Sequence, residues 1–336
     1  MNRNMKTWLK DMVASPAKKA LPVLSFPAIQ LMDITVRELI SSADRQAEGM
    51  RLVAERVKSA ASVSLMDLSV EAECFGATIR VSDEEVPTVT GSIVKSEEDV
   101  DNLSVPKVGA GRTGIYVEAI GKAVKMIHDR PVLAGIIGPF SLTGRLMDVT
   151  EVMYALYDEP ETVSKVLDKV TDFLIEYALR YREVGADGVV MAEPLAGLLT
   201  PAQAEEFSCK YVKKLIDRVQ TDEFAVVYHN CGNAVPSMTK EIAAMGAAAY
   251  HFGNAVDMED ILKKMPPEAP CLGNIDPAGQ FRNGTPESVR EATLKLLEKC
   301  SKYPNFVISS GCDIPPASRW ENIDAFFGAV EEFYGC

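Results

Sequence analysis

Histidine is scarce in this chain, and several features that would classify the protein at once are missing. The sequence has three histidines and two tryptophans among 336 residues. It contains no apolar run near the roughly 18 residues that a membrane-spanning helix needs. Its formal net charge of -13 argues against the basic surface that nucleic-acid binding requires. We therefore expect an acidic globular protein with no nucleic-acid partner and no membrane partner.

The sequence also lacks the patterns of a secretory leader and of a disulfide framework. Lys10, Asp11, Lys18 and Lys19 interrupt the N-terminal stretch, so it has no continuous apolar core of the kind found in signal peptides. We expect a cytoplasmic protein, in which thiols stay reduced. The odd number of seven cysteines also fits a set of paired disulfides poorly.

One pattern repeats along the chain: a helix-like stretch with one apolar face is followed by a short, wholly apolar stretch. In residues 158–194, apolar side chains recur every three or four positions and lead into the strand-like segment GVVMA. Thr200, Pro201 and Gln203 then predict a capping box at the start of a helix that runs toward residue 219.

This alternation predicts a parallel sheet of seven strands preceded by helices, with LPVLSFP at residues 21–27 as a candidate eighth strand. A count near eight favours an α/β fold of the (β/α)8 TIM-barrel type, with residues 1–336 as one domain. An open doubly wound sheet is the alternative. The β-branched and turn-forming residues near 74–94 predict a small hairpin inserted after the strand that ends at Asp67.

Chemically versatile residues stand where the predicted strands end, and parallel strands of a barrel present those ends at one rim. His229 and Cys231 project to the same side of an extended chain, so they can bind one ion together. Cys312 also ends a predicted strand and should reach the same rim. One nitrogen and two sulfurs suit Zn²⁺, and three protein ligands leave a fourth position open, as in catalytic zinc sites.

The rim holds further candidates. Asp67 and Glu193 are the predicted catalytic residues. Glu193 is also the candidate for a fourth, displaceable zinc ligand, and a helix-capping role is the competing interpretation. We predict that three more polar residues at strand ends contact a bound cofactor: Asn254, Asn274 and Asp276.

The remaining histidines and cysteines have weaker cases. His251 lies near a strand end but has no second ligand two residues away, so we expect a hydrogen-bonded rim histidine. His128 lies before a proline at a helix end and is interpreted as a surface or capping residue. A buried apolar role competes with ligation for any free cysteine. We expect that role for the others: Cys74, Cys209, Cys271, Cys300 and Cys336.

Residues 109–114 read GAGRTG and match the G-x-G-x-x-G pattern of dinucleotide-binding proteins. That pattern is meaningful only after a strand, and with an acid at the end of a second strand. Pro106 interrupts the preceding stretch, and the following strand ends without an acid. We therefore interpret the motif as a loop that opens a helix.

Several segments resemble those of a known family and occur in that family's order: SLMDLSVEAECFGATI, IIGPFSLTGRLMD, MAEPLAGLLTPAQAEEF, YHNCGN, LGNIDP and SSGCDIPPASRWENI. The paired HNC and GC elements resemble the zinc-dependent corrinoid methyltransferases of the methylcobalamin:coenzyme M type, within the uroporphyrinogen decarboxylase superfamily. The resemblance implies a TIM barrel with Zn²⁺ bound by His229, Cys231 and Cys312. It also implies methyl transfer from methylcobalamin or another methylated corrinoid, carried by a corrinoid-binding protein, to a small-molecule thiol such as coenzyme M.

Other functions stay open beside this one. Uroporphyrinogen decarboxylase resembles the chain too and needs no metal, but the arginines of its N-terminal motif are missing from PVLSFPAIQLMD. Their absence removes the expected clamp for the substrate's carboxylates. Corrinoid methyl transfer to tetrahydrofolate is a second alternative. A corrinoid- or metal-binding module without turnover is a third, which an open coordination position disfavours.

Overall fold

The computed structural model describes residues 3–335, and a parallel β-sheet forms their centre. The strands in these residues are β1 (Ser62–Val63), β2 (Thr78–Arg80), β3 (Thr88–Thr90), β4 (Val132–Ile137), β5 (Gly188–Ala192), β6 (Ala225–Asn230), β7 (Ala249–Phe252), β8 (Cys271–Ile275) and β9 (Phe306–Ser310). β2 and β3 pair antiparallel as a separate hairpin. The other seven strands form one sheet in the order β1-β4-β5-β6-β7-β8-β9, all parallel.

Helices precede or follow nearly every strand of this sheet. The α-helices are α1 (Met5–Ala14), α2 (Ala28–Met32), α3 (Val36–Ile40), α4 (Ala43–Arg56), α5 (Val70–Cys74), α6 (Glu97–Asn102), α7 (Thr113–Ala123), α8 (Pro139–Met147), α9 (Val149–Asp158), α10 (Pro160–Glu183), α11 (Pro201–Ala204), α12 (Lys210–Val219), α13 (Thr239–Ala244), α14 (Met258–Lys264), α15 (Pro286–Cys300) and α16 (Trp320–Tyr334). Between residues 3 and 335, none of them combines the length and the apolar character needed to cross a membrane.

The main chain of residues 20–24 closes the sheet into a barrel between its two edge strands. On one side, the Ala60 amide donates to the Ala20 carbonyl at 2.8 Å. On the other side, the Leu21 amide donates to the Ile308 carbonyl at 3.0 Å. The predicted TIM barrel is therefore confirmed, with the candidate eighth strand present as an extended segment rather than as a regular strand.

Two apolar cores hold the barrel together. The larger lies between the sheet and the outer helices, where α10 buries Val163, Leu167 and Leu174 on one face. The smaller fills the barrel interior, and α1 inserts Met5 and Leu9 into it. α1, which the sequence analysis did not predict, thus covers the end of the barrel at which the strands begin, opposite the rim that carries the polar residues.

Local signals in the sequence mark the element boundaries correctly. Thr200 and Gln203 form the predicted capping box, and the helical stretch continues through a π-helical turn at Glu205–Cys209 to Val219. The β2–β3 hairpin lies within the predicted insertion at 74–94. The GAGRTG motif is a loop that opens α7, as expected.

Candidate metal centre

His229, Cys231 and Cys312 come together at the carboxyl rim of the barrel. His229 is the next-to-last residue of β6, Cys231 follows that strand, and Cys312 follows β9. β6 and β9 are three places apart in the sheet, so the curvature of the barrel is what brings their ends together. One ligand atom from each residue lies within 4.8 Å of the others. The structure therefore brings the three candidate ligands together at one rim.

The donor atoms of this cluster suit a metal ion. His229 is 2% exposed, and its Nε2 is buried without a hydrogen-bond partner. A buried nitrogen left unpaired is costly, by about 1–3 kcal/mol, unless something else binds it. Both cysteines are free thiols. An imidazole nitrogen with two sulfurs is a donor set that Zn²⁺ prefers.

The two thiols of the cluster differ in their tendency to ionise. A hydrogen bond from Cys312 and the nearby ring of His229 lower the pKa of Cys231 below its ordinary value, although burial opposes this shift. The same contact with Cys231, together with burial, raises the pKa of Cys312 well above its ordinary value. One sulfur is therefore already biased toward the thiolate form that binds metals.

His251 lies beside His229, at the paired position on the neighbouring strand β7. It is 1% exposed; its Nδ1 lies 2.6 Å from Nδ1 of His229, and its Nε2 lies 2.8 Å from Oγ of Ser309. Burial first, and then the neighbouring His229 ring, lower the pKa of His251 well below its ordinary value. His251 is hydrogen-bonded as expected, but it contacts a candidate ligand rather than the open rim.

Glu193 caps a helix. Its carboxylate accepts hydrogen bonds from the main-chain amides of Phe140 at 2.7 Å and Ser141 at 2.9 Å, and from the Ser208 hydroxyl at 3.0 Å. These amides belong to the first turn of α8, where a negative charge is stabilised. A Cβ on Gly138 would lie 2.3 Å from this carboxylate. The capping interpretation describes the contacts seen, and roles as a fourth ligand or catalytic group stay predictions.

Asp67 is fully engaged with neighbouring donors. Its carboxylate forms a short ion pair with Arg112 and accepts hydrogen bonds from the Tyr116 hydroxyl at 2.8 Å and the Ser69 hydroxyl at 2.6 Å. Arg112 also pairs with Glu73 at 2.6 Å. These contacts use both oxygens of Asp67, so the residue links the segment after β1 to the start of α7. Its catalytic role stays a prediction.

The three predicted cofactor contacts lie on the same rim. Asn274 donates from its amide nitrogen to two main-chain carbonyls of the loop 253–256, at 2.8 and 2.9 Å. Asp276 accepts from two amides in the first turn of the π-helical segment 277–282, at 3.0 and 2.9 Å. Asn254 is exposed. Asn274 and Asp276 thus shape the rim loops, and the predicted contact with a corrinoid is a proposal for all three.

Close main-chain approaches fix the loops that carry the ligands. A Cβ on Gly253 would lie 2.5 Å from both Cα and Cβ of Cys231. A Cβ on Gly232 would lie 2.4 Å from Cα of Gly197. Side chains at these glycines would therefore displace the Cys231 loop.

Three charged residues near Asp67 were not predicted from the sequence. Arg112 lies within the GAGRTG motif, whose sequence indicates only a loop that opens a helix. Arg145 on α8 has a buried Nε without a partner, and residues 3–335 offer it no ion pair. Glu71 is 1% exposed, with one oxygen bonded to the Ile137 amide and the other unpaired. Neither Glu71 nor Arg145 has a local sequence pattern that predicts its burial.

The other histidine and cysteines lie outside the cluster. The main-chain carbonyl of His128 accepts a hydrogen bond from Arg3. Cys74 is half-buried near Thr113, and three more cysteines are buried elsewhere in the fold: Cys209, Cys271 and Cys300. Cys336 lies outside the described residues.

Comparisons with known proteins agree with this fold. The family model described as uroporphyrinogen decarboxylase (URO-D) matches residues 22–333. The methylcobamide:CoM methyltransferase MtbA of Methanosarcina acetivorans is 30% identical over 272 residues, covering 80% of this chain and 78% of that protein. The uroporphyrinogen decarboxylase of Hydrogenovibrio crunogenus is 26% identical, covering 83% and 80%. A solved methyltransferase from Methanosarcina mazei superposes with a TM-score of 0.86 at 23% identity, over 98% of this chain and 99% of the other, and shows the same fold.

Proposed function

The chain belongs to the uroporphyrinogen decarboxylase (URO-D) family, and within it we propose a methyltransferase that moves a methyl group from a methylated corrinoid to a thiol. The resemblance found in the sequence is confirmed by the relatives, one of which is named a methylcobamide:CoM methyltransferase. The observation that carries the proposal is the cluster of His229, Cys231 and Cys312 within 4.8 Å at the rim. We propose that these three residues bind Zn²⁺.

The chemistry divides between the ion and the chain. Zn²⁺ in such a site would lower the pKa of a substrate thiol, so that thiolate is present near neutral pH. The chain would hold the ion through His229, Cys231 and Cys312 at the ends of β6 and β9, and three protein ligands would leave a fourth position for the substrate thiol. In the reaction, the thiolate sulfur forms a bond to the methyl carbon. The carbon–cobalt bond breaks, its electron pair stays on cobalt, and the thiol proton leaves to solvent.

We propose that the acceptor is a thiol that carries an anionic group, such as coenzyme M. The name of the Methanosarcina relative gives coenzyme M for that protein. Arg145 supports this choice. Burial lowers the pKa of its guanidinium, while the nearby charges of Asp67 and Glu71 oppose that shift. Asp67 is already paired with Arg112, which leaves Arg145 without an ion pair within residues 3–335. An anionic substrate group would supply the missing partner.

The methyl donor requires a partner. A corrinoid is far larger than the acceptor thiol, and we propose that a corrinoid-binding protein presents it at the rim that carries Asn254, Asn274 and Asp276. We also propose that residues 1–336 form one domain, because the family model spans residues 22–333 and α1 packs inside the same barrel. A cytosolic setting suits ligands that bind as thiolates.

Methyl transfer from free methylcobalamin tests this function. The zinc-loaded chain should consume methylcobalamin only when a thiol is added, and it should form the matching methyl thioether. Coenzyme M should react with a lower KM than the uncharged 2-mercaptoethanol, and Arg145→Met should remove that difference while leaving 2-mercaptoethanol unaffected. The proposal fails if zinc-loaded protein leaves methylcobalamin unchanged with both thiols, and release of CO2 from uroporphyrinogen would favour the decarboxylase instead.

A further inference from the structure

A continuous chain of hydrogen bonds, called the file below, leads from His229 to the segment 20–24 that closes the barrel. His229 and His251 are paired neighbours on β6 and β7, and their Nδ1 atoms lie 2.6 Å apart. Nε2 of His251 lies 2.8 Å from Oγ of Ser309, which lies 2.7 Å from the Leu21 carbonyl. His251 is 1% exposed and Ser309 is 0% exposed. The file is therefore shielded from water along its length.

The far end of this file fixes its direction. A carbonyl oxygen only accepts, so the Ser309 hydroxyl must donate to Leu21. Oγ of Ser309 then accepts the N–H at Nε2 of His251. A neutral imidazole carries one N–H, so Nδ1 of His251 is left as an acceptor. The partner that donates to it must be the N–H at Nδ1 of His229.

A second contact requires the same tautomer of His229. The main-chain carbonyl of His251 lies 3.3 Å from Nδ1 of His229, and it too can only accept. With its proton on Nδ1, His229 keeps the lone pair on Nε2. That is the buried nitrogen without a hydrogen-bond partner.

We propose that His251 and Ser309 are positioning residues that lock His229 in the tautomer whose Nε2 binds the metal. The inference rests on the proposed metal site, and it adds the device that makes the imidazole a ready ligand. Histidine ligands depend on such outer partners, whose loss typically lowers metal affinity by about 10- to 100-fold. The file also ties ligand orientation to Leu21, so barrel closure and the metal centre share one hydrogen-bond chain.

Zinc affinity, measured by competition with a chromophoric chelator, tests the effect on the metal. His251→Leu removes the acceptor and should weaken zinc binding about 10- to 100-fold. His251→Asn can place its amide oxygen near the former Nδ1 and should recover most of that loss. Ser309→Ala frees His251 to take the other tautomer and should weaken binding by a smaller factor. His128→Asn is the matched control and should bind zinc like the wild type.

The tautomer itself can be read without metal. The chain has only three histidines, so ¹⁵N-labelled imidazole resonances of the apo protein can be assigned with the His128 and His251 variants. We expect His229 to carry its proton on Nδ1 and His251 to carry its proton on Nε2. A proton on Nε2 of His229 in the apo protein overturns the proposal, and so does unchanged zinc affinity in a folded His251→Leu variant. If neither the wild type nor any variant binds zinc, the proposed metal site is wrong. The apo tautomers then still show whether His251 and Ser309 fix the proton of His229 on Nδ1.

Discussion

Glu193→Gln separates helix capping from catalysis at this buried carboxylate. The carboxylate is 0% exposed and accepts two α8 amides and the Ser208 hydroxyl. Glutamine keeps one oxygen, which can still serve Phe140 and Ser208. It turns an NH₂ group toward the Ser141 amide, so two donors face each other. The variant also removes the negative charge at the start of α8.

The size of this loss follows from those contacts. A hydrogen bond to a charged group contributes about 1.5–3 kcal/mol. The charge at the start of a helix adds about 0.3–2 kcal/mol. We therefore expect the free energy of unfolding to fall by about 2–5 kcal/mol, a large part of the usual 5–15 kcal/mol total.

Urea unfolding of the metal-free protein, followed by circular dichroism, measures this change. Glu206→Gln neutralises an exposed carboxylate in the helical turn that carries Ser208; it is the control and should stay within about 0.5 kcal/mol of the wild type. Zinc affinity should be nearly unchanged in folded Glu193→Gln. A variant as stable as the wild type that loses zinc or turnover would refute the capping account and make Glu193 a ligand or catalytic group.

Three further changes probe other parts of the structure. Burial raises the pKa of Glu71 to about 7, so the folded state binds more protons than the unfolded state between the two pKa values, and wild-type stability should fall as pH rises through that window. The free energy of unfolding of the wild type should be about 3 kcal/mol lower at about pH 8 than at about pH 5, and this difference should be much smaller in Glu71→Gln. The same pH dependence in both proteins would contradict the role of Glu71. Gly253→Ala would push a methyl group against Cys231, so zinc affinity should drop about tenfold or more in chelator competition. A Cβ on Gly328 would have no atom within 4 Å, so Gly328→Ala is the control and should bind zinc like the wild type. If Gly253→Ala and Gly328→Ala bind zinc equally well, the Cys231 loop can adjust to the added methyl group. Leu9→Ala opens a cavity at the far end of the barrel and should lower unfolding stability by about 2–5 kcal/mol without altering zinc binding; a loss of zinc would link the two ends.

Much of the fold was readable because buried parallel strands are short, apolar and separated by helices with one apolar face. The segment at residues 20–24 was harder to assign. Pro22 has no main-chain N–H, so the segment makes too few ladder bonds for a regular strand while still closing the barrel. α1 was missed because its role depends on insertion into the barrel interior, which no local pattern specifies.

The candidate ligands could be predicted because two-residue spacing and strand-end position are both visible in the sequence. The two-residue spacing indicates His229 and Cys231, and the strand-end position indicates Cys312. The partners of Glu193 could not be predicted in this way. They depend on where α8 begins relative to β5, which is set by packing between distant segments. The same holds for Ser309 on β9, which reaches His251 on β7 across the intervening strand β8.

Metal analysis of the purified protein beside Cys312→Ser tests the central claim most directly. Cys74→Ser, a half-buried cysteine outside the cluster, is the control. The account predicts about one zinc ion per chain in the wild type and in Cys74→Ser, and almost none in Cys312→Ser, with thiol-dependent methyl transfer lost in parallel. Full methyl transfer by a metal-free Cys312→Ser variant would contradict it.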